Sequence, residues 1–174
     1  FSKMDIFRAT THNKGIFNGI DAVVIATGND WRAIEAGGHA YAVKDGKYSG
    51  LTEWTFDEEK YVLKGSLTLP MPVASVGGSI GLNPTVKTAF NILNNPDAKT
   101  LAGIIVSVGL AQNFAALKAL VSTGIQKGHM KLQARSLALF AGAENEEVGI
   151  VVEKLLETNR INSENAKNIL KEIR

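Results

Sequence analysis

The clearest pattern of hydrophobic and polar positions lies between residues 44 and 70. Leu51, Glu53 and Thr55 alternate there with Thr52, Trp54 and Phe56, and the same two-residue period returns from Tyr61 to Leu69. Such alternation predicts two strands, and Asp57-Glu58-Glu59 between them predicts the turn of a β-hairpin. Pro70 closes the second strand, because proline cannot donate to a ladder. Upstream, the short apolar and β-branched run from Ala22 to Ala26 predicts a strand. It leads through the polar turn Thr27-Gly28-Asn29-Asp30 into a helix over 31–41, which Asn29 or Asp30 can cap by accepting from an orphan backbone N–H.

Downstream the period lengthens. Gly77-Gly78-Ser79-Ile80-Gly81 precedes Asn83-Pro84, a cap and first-turn pair for a helix over 85–93. The glycine run matches neither a phosphate-binding loop nor a dinucleotide fingerprint and reads as a tight turn. A helix over 98–108 and a second one ending near Val121, stopped by Gly124, are rich in small residues that allow backbones to pack closely. Gln112 and Asn113 interrupt this apolar stretch, and buried amides there must find hydrogen-bond partners. Three further helices are expected over 130–141, 146–158 and 164–173, the last capped by Ser163 with Glu164 just inside. The whole is a mixed α/β chain of the α+β kind.

Composition narrows the field. With 174 residues, 45% of them hydrophobic, the chain can build one well-buried core with a small appendage. Its 19 basic and 17 acidic residues are scattered, so there is no electrostatic footprint for nucleic acid. The absence of cysteine excludes disulfides and thiolate chemistry and is compatible with a cytoplasmic location. The longest apolar runs are broken by Ser107, Gln112, Asn113 and Lys118, so no uninterrupted membrane span is expected. Phe1 stands where an initiating methionine would, and dense chemistry begins at once. A C-terminal fragment of a larger protein is the expectation.

That chemistry is the run Arg8-Ala9-Thr10-Thr11-His12-Asn13-Lys14-Gly15, with Asp30 sixteen residues after the lysine and His129 in Gly128-His129-Met130. Lysine, aspartate and histidine can together stabilise an oxyanion, tune its donor and protonate a leaving group, which is the equipment of carbonyl chemistry. Arg8, Thr11 and Asn18 add donors suited to an oxygen-rich acid. An exposed turn lysine and a plain helix cap are the bland readings of Lys14 and Asp30. His39 reads as a packing residue, His12 as a weak candidate, and Glu35 as a partner of Arg32 or another side chain. No metal site is expected, because no histidines and carboxylates fall at ligand spacing.

Four segments, RATTHNKGIFNGID, VVIATGNDWRAIEAGGHAYA, GLAQNFAALKAL and IQKGHMKLQARSLA, closely resemble hydroxymethylglutaryl-CoA (HMG-CoA) reductases of the bacterial type, class II. The resemblance runs from about Phe7 to the C-terminus, and the short spacing from lysine to aspartate is characteristic of that class. It implies that Lys14 and Asp30 are catalytic, that His129 serves the CoA thiol, and that Arg8, Thr11, Asn18 and Gln112 contact the hydroxymethylglutaryl group or support the site. Gln133 stands where this class often has histidine, and no role is given to it. The implied reaction is the reduction of HMG-CoA to mevalonate and CoA with two molecules of NADPH or NADH.

The resemblance further implies the C-terminal part of a large, dimer-forming domain over 1–126, with an active site shared between subunits of a homodimer or higher oligomer. A helical flap would follow over 127–174. The catalytic glutamate and the small cofactor-binding domain are expected upstream of residue 1. The parent is then an oxidoreductase and the isolated chain an incompetent piece of it. Two rivals are a non-catalytic dimerising or CoA-binding fragment and a CoA-thioester transferase, the latter weakened by the lack of a recognisable nucleophile turn.

Overall fold

The structure, a computed structural model, describes residues 1–174 apart from Ser79, Thr123 and Asn159 and the side chains of Ile125, Gln126 and Lys127. Its backbone divides into two compact units, 1–116 and 117–174. Helices dominate both, and the strands form two small antiparallel pairs.

The first unit is built on α1 (Ile6–Ala26), whose buried residues Ala9, His12, Asn13, Ile16, Phe17, Ile20 and Val24 recur at helical spacing. That stripe runs straight through Ala22 to Ala26, so the strand expected there is the last turn of a helix. Val24 is buried in the core and Val23 packs against it, and burial on the helical period outweighs a local preference for extended backbone. Asp5 caps the start, its carboxylate accepting from the Arg8 N–H at 2.6 Å. At the other end Thr27 Oγ1 donates to the Val23 carbonyl at 2.8 Å, and Gly28 takes a positive φ of 69° that turns the chain.

Next comes α2 (Trp31–Tyr41), capped by Asp30. Asn29, the other candidate cap, instead accepts from the Ala74 N–H at 2.8 Å and pins a distant segment. A two-residue ladder joins β1 (Val43–Lys44) to β2 (Lys47–Tyr48). The predicted hairpin forms from β3 (Thr52–Asp57) and β4 (Val62–Leu67), paired from Thr52 opposite Leu67 to Asp57 opposite Val62. Asn83 caps α3 (Pro84–Ile92) through the Thr85 N–H at 2.9 Å, with Pro84 in the first turn as the sequence predicts.

The two helices expected between 98 and 121 are one, α4 (Ala98–Leu120), whose buried residues Leu101, Ile105, Gly109 and Asn113 fall four apart. Joined in this way, α4 is long and apolar enough to cross a membrane by length and composition alone, a point on which the sequence reading of broken apolar runs is corrected. In the described unit its buried stripe packs on α1 around Gly109, where an added Cβ would lie 2.8 Å from Ile20 Cγ1 and 3.2 Å from Ile16 Cγ2. Ile16, Phe17, Ile20, Val24, Ile34, Val86, Phe90, Leu101 and Ile105 make one core.

The second unit contains α5 (Ile125–Phe140), α6 (Asn145–Glu157) and α7 (Ser163–Ile173) around a separate core that includes Ala138, Val151, Leu155 and Leu170. The expected boundary at 126/127 falls inside α5. Asn162 caps α7, accepting from the Asn165 N–H at 2.9 Å, so Ser163 is its first residue and not its cap. Arg174 ties the end down with two bonds of 3.0 Å to the Glu147 carboxylate.

Candidate functional site

Burying one side of α1 leaves a polar patch on the other, between the exposed Phe7 and Ile25 near its ends. Thr11, Lys14 and Asn18 are exposed and lie three and four residues apart, so they share one face, with half-buried Arg8 at its N-terminal edge. Arg8 Nη1 donates to Thr11 Oγ1 at 2.8 Å, which fixes the guanidinium along the helix. Gln112 joins the group from α4. A Cβ on Gly19 would come within 2.9 Å of Gln112 Cβ and 3.1 Å of the Val108 carbonyl oxygen, so the two helices meet where α1 has no side chain. Five of the seven residues singled out in the sequence are thereby assembled around one stretch of two helices.

Asp30 is not among them. Its carboxylate accepts from the Arg32 N–H at 3.1 Å and the Ala33 N–H at 3.3 Å, and it faces Arg32 Nε at 3.5 Å. The Ala33 N–H first, and the Arg32 charge after it, hold its carboxyl below the usual carboxylate range. Between Lys14 and the end of α1 lie twelve helical residues, an axial distance of about 18 Å at 1.5 Å per residue. The chain then reverses, since Gly38 of α2 lies against Phe17, where an added Cβ would collide with the ring at Cζ. Asp30, eight residues before Gly38, is therefore near the far end of α1. Direct contact between Lys14 and Asp30, suggested by their spacing, does not occur within one chain.

The buried side of α1 holds polar residues that sequence reasoning undervalued. His12 and Asn13, only 6% and 0% exposed, lock onto the chain that enters the hairpin. Asn13 Nδ2 donates to the Ser49 carbonyl at 2.9 Å, and Asn13 Oδ1 accepts from the Leu51 N–H at 3.0 Å, imitating a strand partner. His12 Nε2 lies 2.6 Å from Thr52 Oγ1, which donates to Asn113 Oδ1 at 2.9 Å; Trp54 Nε1 donates to the same oxygen at 2.9 Å. Burial first, and the Arg8 charge after it, pull the His12 imidazole down to about 4. The expectation that Asn113 must find partners holds, and that amide inside an apolar helix was the signal that could have led to the network. His39 is a packing residue as expected, 4.8 Å from the Phe17 ring centroid and bonded through Nδ1 to the Tyr48 hydroxyl at 2.7 Å.

Glu35 has a partner, though not Arg32. It faces Asp21 of α1, and burial followed by the nearby Glu35 charge pushes the Asp21 carboxyl up to about 6. Asp21 Oδ1 is buried without a hydrogen-bond partner among the described residues. In the second unit, His129 is exposed on the second turn of α5, a helix that begins after Gly124 at a φ of 81°. Ser79 of the glycine loop lies outside the described residues.

A cationic amine flanked by amide, hydroxyl and guanidinium groups on one helix face offers the charge and hydrogen-bond donors that suit an oxygen-rich anion. Comparison with known proteins gives the family. The hydroxymethylglutaryl-coenzyme A reductase model matches residues 1–134, so the chain belongs to that family. It is 49% identical over 174 residues to 3-hydroxy-3-methylglutaryl-coenzyme A reductase of Archaeoglobus fulgidus, covering all of this chain and 39% of that protein. The probable reductase of Borreliella burgdorferi is 45% identical over 130 residues, which cover 75% of this chain and 30% of the relative. Among solved structures, a reductase from Streptococcus pneumoniae aligns with 63% identity and a TM-score of 0.70 over all of this chain and 41% of its own. The class II enzyme of that organism, bound to NADPH in open conformations, gives 63% identity and 0.69 over 42% of its length. The chain thus spans about two fifths of the full-length relatives it matches.

Proposed function

We propose that this chain is the lysine-bearing part of an enzyme that reduces HMG-CoA to mevalonate and CoA at the expense of two molecules of NADPH or NADH. The observation that carries the reading is the single exposed face of Arg8, Thr11, Lys14 and Asn18 beside Gln112, within a family match that covers residues 1–134. Arg8 pairs with the substrate carboxylate, while Thr11, Asn18 and Gln112 bond its oxygens. The Lys14 ammonium neutralises negative charge that develops on the carbonyl oxygen in each of the two reductions.

The strands described here are antiparallel pairs, with no parallel strand–helix unit that could cradle a dinucleotide. No cofactor contact is therefore assigned to this chain. Nicotinamide, held elsewhere in the parent, would supply hydride; the residues present here act only on oxygen and sulfur. His129, assigned from the resemblance, protonates the departing CoA thiolate.

Asp30 steadies and tunes the ammonium, and the roughly 18 Å of helix between it and Lys14 favours a lysine and an aspartate from two copies of the chain meeting in a shared site. The parent is accordingly a homodimer or a higher oligomer of such dimers. It works in the cytoplasm without membrane attachment, α4 being one of its core helices.

Subunit mixing tests this in the full-length parent. Lys14→Ala alone should lower turnover by about two to three orders of magnitude. Coexpressed randomly with Asp30→Ala, it should recover about a quarter of native activity, because half the dimers are mixed and each has one intact site of two. No recovery would mean that lysine and aspartate act from the same chain, and a fully active Lys14→Ala enzyme would remove the oxyanion role.

A further inference from the structure

We propose that His12, together with Asn13, is a positioning residue that sets the rotation of α1 about its axis and thereby aims Lys14. The inference rests on the role given to Lys14 above. Successive helical residues are displaced by about 100°, so the side chains immediately before Lys14 point away from its face. Those two are among the least exposed polar residues of the first unit. Their direct partners, Ser49, Leu51 and Thr52, lie at the hairpin entry, and Thr52 is in turn bonded to Asn113 of α4, so the anchor reaches two separate parts of the chain. Anchoring on both prevents α1 from rolling. A roll of about 10° would carry an atom about 6 Å from the axis, the outer radius of a helix with its side chains, through about 1 Å. Displacement of that size at a reacting group costs about 100-fold in rate.

The proton order of the network can be read from its one unambiguous member. An indole N–H only donates, so the Asn113 atom it meets is the amide oxygen. The Thr52 hydroxyl also donates its single proton to that oxygen, leaving its lone pairs to face His12 Nε2 at 2.6 Å. His12 must then supply the proton, as the Nε2–H tautomer, and the 3.3 Å approach of Asn113 Nδ2 to Nε2 is packing rather than a hydrogen bond. A neutral ring serves this purpose best. It anchors the helix without putting a second positive charge two residues from Lys14.

The test uses the full-length parent turning over HMG-CoA with NADPH. His12→Phe keeps a ring but no donor and should lower kcat about 10- to 100-fold with KM changed by less than about threefold, because substrate groups are not removed. Thr52→Val, which cuts the same relay at the next atom and preserves volume, should do likewise. His12→Gln, whose amide N–H can reach Thr52, should restore most of kcat. If His12 acts through Lys14, then His12→Phe should have no further effect in a Lys14→Ala background. An equal loss in both backgrounds, or native kcat in both His12→Phe and Thr52→Val, would overturn the inference while leaving Lys14 in place. A Lys14→Ala enzyme with native turnover would defeat the lysine reading and this inference with it.

Discussion

His12 and Asp21 lie on the same helix and titrate in opposite senses. The His12 imidazole is held near 4 in the folded chain against an ordinary value of 6.5. As pH falls below 6.5 the unfolded chain takes up a proton that the folded chain refuses, so stability from this group is full above 6.5 and is lost toward 4. Asp21 is raised from 3.8 to about 6. The folded chain keeps that proton while the unfolded chain releases it above 3.8, so this contribution is present at low pH and is lost as pH rises toward 6. Between pH 4 and 6 the two slopes oppose one another. Urea unfolding of Asp21→Asn should give stability that climbs with pH more steeply than native protein, and His12→Gln stability that climbs less steeply or falls. Parallel profiles for all three proteins would refute both assignments. At pH 7 Asp21→Asn should be the more stable protein, because it removes a half-buried carboxylate that faces Glu35. None of this was legible in the sequence, where His12 is one polar residue among several. Its environment is made by Thr52 and Asn113, 40 and 101 positions away.

Among the elements, the crossing of α1 and α4 decides how close the two faces of the site can come. Gly19 and Gly15 both lie on the approaching side of α1, yet they differ in what a methyl group would meet. At Gly19 it would sit 2.9 Å from Gln112 Cβ and 3.1 Å from the Val108 carbonyl oxygen, and backbone cannot step aside cheaply; at Gly15 the nearest atom is Ala116 Cβ at 3.9 Å, an ordinary contact. Gly19→Ala should therefore cost about 1–3 kcal/mol of stability through overpacking. Gly15→Ala should be neutral or gain up to about 1 kcal/mol from helix propensity. Equal effects in thermal unfolding would mean that the helices do not cross at Gly19. Such close approach also explains where the elements were and were not legible. The hairpin and the caps Asp30 and Asn83 follow from local chemistry, and the structure agrees with the sequence there. The last turn of α1 and the continuity of α4 are set by long-range packing of Val24, Gly109 and Asn113, which no local pattern records. The polar face of Arg8, Thr11, Lys14 and Asn18 was recognised as a set of residues, but a run that read as a turn became a face only once the helix was seen to begin at Ile6.

At the scale of the molecule, the candidate residues are divided between two units, each with its own core. Lys14 and Asp30 belong to the unit over 1–116 and His129 to the unit over 117–174. The three C-terminal helices were legible because each is a short amphipathic segment between turns. The assembly that would unite lysine, aspartate and histidine was not, since the chain spans about two fifths of its relatives. Under the proposed function the histidine role has a clean test, because a thiolate would be expelled in only one of the two reductions. In the full-length parent, His129→Gln should slow the reduction of HMG-CoA by about two to four orders of magnitude, the range for loss of a general acid. It should leave the reduction of supplied mevaldehyde, which has no thiol to expel, within a few-fold of native. Lys14→Ala should impair both reactions, because both develop charge on oxygen. If His129→Gln slows the two reactions equally while substrate affinity and fold are kept, the histidine is not the thiolate's acid. Its exposed position on α5 would then need an explanation that does not involve sulfur.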